Sequence, residues 1–535
     1  MSEAPGIVLI GLPGSGKSTV GRCVAERLNR PFIDLDWEIE RSTGRSAADH
    51  IARDGEAAFR EIERRQVQAA CAVAGAVIAT GGGAPLDPLN RWAFMQHGLR
   101  VRLDVPLDRL AARLQADAVG RPLLGDDALA GLTRTAADRA PVYRAVDMAL
   151  DADREPEAVA DEIVAAGQKG MAGTWRALYD GQYARHHPAG PQRGRMLIGR
   201  AIDAASLRAA LEPFDGQVPV VIADRRALHA APRLAEALPA GARLEIGGGE
   251  AAKRFVRLQA VLNWLTEQGV GRADPLLAVG GGTVGDLAGL AAALHHRGMP
   301  LVQVPTTWLA QSDSAIGGKV AIDLPAAKNA VGTVWPAWLV VSDVMLLGIL
   351  PVERRRDGLA ECLKSGLIGD PQLWRLVEER GRAALAGDDP GAVFAMSERA
   401  ARLKLAIVER DPFEGGERRL LNLGHTLGHA LEVESGYRLA HGEAVALGLR
   451  AVATIAARRG AEPGLAERID AVLHDLGFPL RRAFDPAQVE RALRTDKKRV
   501  RGSQHWILPM AVGRVADVTD VTPSELAAAM KAIAA

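Results

Sequence analysis

Four apolar residues, Ile7-Val8-Leu9-Ile10, run straight into Gly11-Leu12-Pro13-Gly14-Ser15-Gly16-Lys17-Ser18, and a helical pattern follows from Ser18 to Leu28. No other stretch limits the fold as tightly. The string fits G-x4-G-K-[ST] in the setting that gives the motif its physical meaning, between a buried strand and a helix N-terminus. There, backbone N–H groups converge on one point and the helix dipole favours negative charge. Gly14, Ser15, Gly16, Lys17, Ser18 and Thr19 are therefore the candidate cradle for ATP. Lys17 would reach the β/γ oxygens, and the Ser18 hydroxyl would serve Mg2+ as a ligand.

The alternation continues through the first 165 residues, with expected strands at Val77–Ala79 and Arg100–Val105 and a closing helix at Glu157–Ala166. Strands alternating with helices predict a parallel sheet covered on its faces. The pattern breaks where Gly, Pro and His accumulate in His186-His187-Pro188-Ala189-Gly190-Pro191. A second α/β pattern follows, with expected strands at Val218–Ala223, Leu276–Val279, Leu301–Val304 and Leu339–Ser342; from Leu346 onward strands are scarce. The expected domains are 1–170, 195–343 and 344–535, with a linker over 171–194.

Composition narrows the partners. With 66 Lys+Arg against 65 Asp+Glu the formal charge is +1, so nothing predicts a surface that tracks nucleic-acid phosphates. Three cysteines without a CxxC point to a reducing compartment, and no apolar run reaches the roughly 18 residues of a membrane span. A cytoplasmic protein acting on small molecules is expected. Only 10 of the basic residues are Lys, at 17, 169, 253, 319, 328, 364, 404, 497, 498 and 531. Lys and Arg are not interchangeable at sites. Lysine scarcity therefore serves as a filter for places where a compact ammonium is wanted, and eight of the ten, all but Lys169 and Lys531, fall in the phosphate loop and the motifs below.

Past the phosphate loop come Asp34-Leu35-Asp36, Phe59-Arg60, Gly81-Gly82-Gly83, Gly120-Arg121-Pro122-Leu123-Leu124, and Arg139 before Pro141-Val142-Tyr143. Planar guanidinium forks at Arg60 and Arg139 suit a carboxylate, and glycines let backbone approach a flat ring. In order and spacing this set resembles the shikimate kinases over residues 5–165. The resemblance implies a P-loop fold like that of nucleoside-monophosphate kinases. It implies Asp34 as the acceptor of a hydroxyl proton, Asp36 on the substrate diol and Arg121 as a lid residue closing over the transferring phosphate.

In the second half, Gly280-Gly281-Gly282-Thr283-Val284-Gly285-Asp286 follows an expected strand and opens a helix, a turn through which backbone can approach a pyrophosphate. On spacing alone, His425 and His429 form an i, i+4 ligand pair. The surrounding Gly248-Gly249-Glu250, Lys253, Pro305-Thr306-Thr307, Asp313, Gly317-Gly318-Lys319, Lys328-Asn329, Glu361, Asn422–His429 and His441-Gly442-Glu443 resemble the 3-dehydroquinate synthases from residue 195 onward.

That resemblance implies a dehydroquinate-synthase-like α/β nucleotide-binding domain followed by a mainly helical metal-binding domain. It implies NAD+ held by Glu250, Lys253, Gly281, Gly282, Asp286, Thr306, Thr307 and Lys328. One Zn2+ or Co2+ would sit on Glu361, His425 and His441, with His429 turned to substrate. Arg297, Lys319, Asn329, Lys364, Lys404, Arg418, Asn422, Lys497 and Lys498 would hold 3-deoxy-arabino-heptulosonate 7-phosphate. Asp313, Glu414 and His429 are the implied proton relays, the conversion is redox-neutral overall, and a homodimer through the C-terminal part is implied. One departure stands out, Thr333-Val334-Trp335-Pro336 in place of an aromatic-then-polar pair. A competing reading makes the first domain a regulatory nucleotide-binding module, and the rest another sugar-phosphate cyclase or a polyol dehydrogenase.

Overall fold

β1 (Gly6–Ile10) is buried at every residue and lies at the centre of a five-stranded parallel sheet. With β2 (Phe32–Asp34), β3 (Val77–Ala79), β4 (Gly98–Asp104) and β5 (Met148–Asp151), the order is β2-β3-β1-β4-β5. Val8 pairs with Ile78 on one side and Arg100 on the other, so the chain leaves β1 at the point where strand order reverses. Ligands of open α/β sheets bind there, beyond the carboxyl ends of the strands. Three motifs exit at that edge: the phosphate loop after β1, Asp34 at the end of β2, and Gly81–Gly83 after β3. Burying Ile7, Val8, Leu9 and Ile10, each at most 3% exposed, stabilises the sheet by roughly 1.5–3 kcal/mol per side chain.

This computed structural model describes residues 5–116, 128–169, 176–184, 192–249, 252–324, 327–495 and 504–535. The expected lid residue Arg121, the cofactor candidate Glu250 and the pair Lys497 and Lys498 lie outside them. The chain divides into two units, Met1–Gln182 and Tyr183–Ala535, and the division falls inside the strand β6 (Arg176–Ala184).

The second sheet adds β7 (Gln192–Gly199), β8 (Val220–Asp224), β9 (Arg243–Ile246), β10 (Leu276–Gly280) and β11 (Leu301–Pro305). After the hairpin of β12 (Lys319–Leu324) and β13 (Ala327–Val334) it takes in β14 (Leu339–Asp343), giving the order β6-β7-β14-β11-β10-β8-β9. The four strands expected here are found within two residues of their predicted bounds. The stretch 171–194, expected as a linker, contains the division between the two units and also carries β6 and the start of β7, whose Met196 pairs with Val340 of β14. Its opening Gln192-Arg193-Gly194-Arg195 offers no apolar run, which is why the strand escapes a search by hydrophobicity.

Helices dominate from Val352, and four of them build the second site: Val352–Gly369, Pro390–Arg410, His425–Glu434 and His441–Arg458. Gly424, at φ 75, caps His425–Glu434, and a Cβ there would stand 3.0 Å from the Val445 carbonyl of the next helix. A side chain at Gly424 would push these two helices apart. Trp335 is a packing residue: buried, it donates to the Met299 carbonyl at 3.2 Å and covers Gly298. Among the described residues no helix is long and apolar enough to cross a membrane.

Candidate active sites

In the first unit, Gly14 and Gly16 take φ of 81° and 87°, which folds the phosphate loop, and Gly16 opens the helix Lys17–Leu28 with no side-chain cap. The first N–H groups of that helix are thus left for an anion. Lys17 donates to the loop's own carbonyls at Gly11 (3.0 Å) and Leu12 (3.1 Å), and Ser18 donates to Asp34 at 2.5 Å. A hydroxyl and a carboxylate that close together form a natural Mg2+ corner. Ser15 is buried in the loop, whereas Thr19 is exposed.

The triple glycine organises the other half of this site. A Cβ on Gly81 would stand 2.6 Å from Asp36 Oδ1, one on Gly82 2.7 Å from Arg139 Nη1, and one on Gly83 would collide with Arg60. Three residues predicted to hold one substrate therefore surround one glycine turn. Arg139 donates to the Gly82 carbonyl at 2.7 Å, as does Tyr143 at 2.6 Å. Arg60 is held by Glu56 and by Glu63, each at 2.8 Å. Glu63 is a residue the sequence reading missed. Burial pushes its carboxyl above the ordinary range, with Arg60 opposing, and its contact with Arg60 Nη1 braces that guanidinium.

In the second unit, the turn after β10 leads into the helix Gly282–Leu294, also without a side-chain cap. A Cβ on Gly281 would meet Thr307 at 3.0 Å, and one on Gly282 would meet Ser314 at 2.8 Å, so only glycine leaves this turn open. Thr306, buried after β11, donates its backbone N–H to the Gly280 carbonyl at 3.0 Å. Lys253 donates to Asp286 at 2.7 Å and to Asn329 at 2.5 Å, joining two cofactor candidates to a substrate candidate. Lys328 sits 4.4 Å over the Tyr437 ring.

The charged cluster lies among the helices. Glu361 Oε1 stands 3.4 Å from His425 Nε2 and 3.3 Å from His441 Nε2, and one ligand atom from each residue lies within 4.8 Å of the others. Asp357, one turn before Glu361, accepts from the Gly442 N–H at 2.9 Å and so docks His441 beside it. Among the described residues two groups of side chains could hold an ion, Glu361 with His425 and His441, and His429 with Glu432 and His441; His425 and His429, paired by spacing, fall in different groups, and His429 Nε2 lies 4.0 Å from Glu432 Oε2. Sequence spacing registers a shared helix face but not a third residue on another helix.

Burial would raise the Glu361 carboxyl, yet Lys364 and His425 outweigh it and hold it well below the usual range. Burial and then Lys364 pull His425 down. His441 is pushed up to about 10, because Glu361 and Glu432 overcome the opposing effect of burial. One carboxylate and two histidines form the donor set of a zinc-type site with positions left for substrate oxygens, so these residues fit a divalent metal.

Around the cluster, Lys364 pairs with Glu361, and Lys404 reaches Asp313 at 2.7 Å from across a one-turn π-helix, Ala310–Ser314. Lys404 and Lys364 hold Asp313 below its ordinary range against the effect of burial. Glu414 ties Lys319 to Asn422, which donates to it at 2.9 Å. Arg418 is buried and donates to the carbonyls of Gly317 (2.9 Å) and Pro412. Arg297 stands apart, exposed on a left-handed kink at φ 61. Among the described residues nothing joins it to the cluster by hydrogen bond or ion pair.

Residues 13–168 match the shikimate kinase family, residues 243–357 the N-terminal part of 3-dehydroquinate synthase and residues 358–499 its C-terminal part. Over 296 residues the chain is 42% identical to the 3-dehydroquinate synthase of Symbiobacterium thermophilum, a match spanning 55% of this chain and 82% of that one. The chain belongs to the 3-dehydroquinate synthase family and carries a shikimate kinase domain. The corresponding synthase of Xanthomonas campestris pv. campestris is 42% identical over 291 residues, 52% of this chain and 77% of the relative.

Among solved structures, a 2-epi-5-epi-valiolone synthase from Streptomyces hygroscopicus, with NAD+ and Zn2+ bound, superposes with a TM-score of 0.58 at 29% identity. That match covers 63% of this chain and 95% of that one. A 2-deoxy-scyllo-inosose synthase complexed with carbaglucose-6-phosphate, NAD+ and Co2+ gives 0.58 at 25%, covering 67% and 100%. Identity to synthases of 3-dehydroquinate thus exceeds identity to these other cyclases. The fusion combines shikimate kinase and 3-dehydroquinate synthase activities of the shikimate pathway.

Proposed function

We propose that the candidate residues named above carry these two reactions in separate sites. In the kinase, Lys17 and the loop N–H groups bind the ATP phosphates, with Mg2+ neutralising their charge when bound. Asp34 takes the proton of the attacking hydroxyl, Asp36 holds the neighbouring diol, and Arg60 and Arg139 fix the shikimate carboxylate. Arg121 closes over the site to exclude water.

In the synthase, Glu361, His425 and His441 hold one Zn2+ or Co2+, which supplies Lewis-acid polarisation of substrate oxygens. NAD+, which supplies reversible hydride chemistry, is held by Glu250, Lys253, Gly281, Gly282, Asp286, Thr306, Thr307 and Lys328. Lys319, Asn329, Lys364, Lys404, Arg418 and Asn422 bind and orient the heptulosonate phosphate, while Asp313, Glu414 and His429 move protons. Arg297, apart from this cluster, and Lys497 and Lys498, outside the described residues, are assigned to the same substrate by family resemblance alone.

The convergence of Glu361, His425 and His441 from three helices carries this reading. Its test is the purified chain assayed twice, for ADP formed on adding shikimate and for phosphate released from the heptulosonate phosphate. Both products are expected. ADP formation indifferent to shikimate would leave the first domain a regulatory module.

We further propose a homodimer through the C-terminal part, in the cytoplasm; sedimentation at twice the chain's mass is expected, and a monomer at assay concentrations would refute it. Lys404 sets a pH dependence. Burial draws its ammonium down to about 8, Asp313 resisting and Arg418 assisting. It loses its charge as pH rises through that value, whereas an ordinary lysine stays charged to about 10.4. The KM for the anionic substrate should therefore rise between roughly pH 7 and 9, and Lys404→Met should lack that rise. A pH-independent KM in the unmodified chain would contradict the assignment.

A further inference from the structure

We infer that Glu432 is a positioning residue for the metal ligand His441, its carboxylate accepting from the Nδ1 N–H so that Nε2 is presented to the metal. The inference rests on Glu361, His425 and His441 being the ligand set. His425, His429 and Glu432 stand at i, i+4 and i+7 on the helix His425–Glu434, on one stripe facing the start of the helix His441–Arg458. Glu432 is only 7% exposed. Its Oε1 lies 3.5 Å from His441 Nδ1, and its Oε2 lies 4.0 Å from His429 Nε2.

The other imidazole ligand shows the same arrangement with a different acceptor. His425 Nδ1 lies 3.1 Å from the Leu423 carbonyl, which leaves Nε2 facing Glu361. Each ring thus has an oxygen near Nδ1, at 3.1 Å for His425 and 3.5 Å for His441, and Glu361 Oε1 near Nε2, an arrangement that favours the tautomer ligating through Nε2. A backbone carbonyl can orient a ring, but a carboxylate also raises its basicity and strengthens the metal bond. A carboxylate this deeply buried is costly unless it has partners, and the two histidines are its imidazole neighbours. Through them Glu432 connects the metal ligand His441 with His429, the proposed proton relay.

The test uses the intact chain carrying Glu432→Gln or Glu432→Ala, with Zn2+ affinity measured by chelator competition and Co2+ by its visible absorption. Loss of an outer-shell partner costs roughly 10- to 100-fold in metal affinity. That loss is expected for Glu432→Ala. A smaller loss is expected for Glu432→Gln, which keeps an acceptor oxygen without the charge. The Co2+ bands should shift in both, at one metal per chain. Unchanged affinity and an unchanged Co2+ spectrum overturn the inference, and Glu432→Gln, which preserves side-chain shape, decides the matter if Glu432→Ala does not fold. A second metal bound per chain and lost with Glu432 also overturns it, since Glu432 would then be a ligand itself. Glu361→Ala is the control: metal retained there would sink the ligand set, whereas metal retained only in the Glu432 variants sinks this inference alone.

Discussion

Replacing Lys17 with methionine is expected to lower shikimate-dependent ADP formation by roughly 10³-fold, because charge developing on a transferring phosphoryl group loses its ammonium. That factor corresponds to about 4 kcal/mol of transition-state stabilisation. The structural cost is smaller. Lys17 donates to the carbonyls of Gly11 and Leu12, and losing such bonds costs about 1 kcal/mol each. Unfolding therefore does not account for the expected loss. Phosphate release by the synthase in the same chain is the internal control and should be unchanged. A variant that keeps its kinase rate would remove Lys17 from the site.

The second large effect is expected at Glu361. Chelation should stop phosphate release from the heptulosonate phosphate by roughly 10³-fold or more, the several kcal/mol that Lewis-acid stabilisation supplies. Added Zn2+ or Co2+ should restore it, and stoichiometric metal should fail to restore Glu361→Gln. The two arms are needed together. Glu361 is 1% exposed and faces Lys364 at 2%, and breaking a buried pair costs about 3–5 kcal/mol by itself. The variant alone thus confounds metal loss with an unpaired buried lysine, whereas chelation leaves both side chains in place. With Mg2+ resupplied, the kinase should survive both treatments. Phosphate release that persists after thorough metal removal would refute the ligand set.

The two sites differ in how much of them the sequence discloses. Gly11–Ser18 and Gly81–Gly83 are legible because backbone must approach a ligand there, and the structure shows Asp36, Arg139 and Arg60 filling the space a Cβ would need. The strand β2 is not, since three half-buried residues carry no period. β9, reading Arg-Leu-Glu-Ile, does alternate, but four residues are too few to separate that pattern from chance. Glu63, Asp357 and Glu432 were missed because an acidic residue on a helix looks alike whether it faces water or a buried base. Tertiary packing gives Asp357 and Glu432 their partners, the Gly442 N–H and His441, whereas Glu63 meets Arg60 at i, i+3 on its own helix and only its burial is hidden from the sequence.

The lysines behaved differently. Lys253, Lys364 and Lys404, singled out by scarcity in an arginine-rich chain, each pair with an acidic residue inside the second site. Scarcity marked them where local pattern could not. His441 lay beyond spacing arguments, since it meets His425 only through the close crossing that Gly424 permits.

The central claim is that one chain performs phosphoryl transfer at one site and a redox-neutral, metal-dependent cyclisation at the other. The most direct test supplies the metal-loaded chain with 3-deoxy-arabino-heptulosonate 7-phosphate and NAD+, and follows phosphate and NADH together. Phosphate should appear over many turnovers with no net NADH. NADH accumulating in step with substrate consumption would contradict the account and make the second half a dehydrogenase.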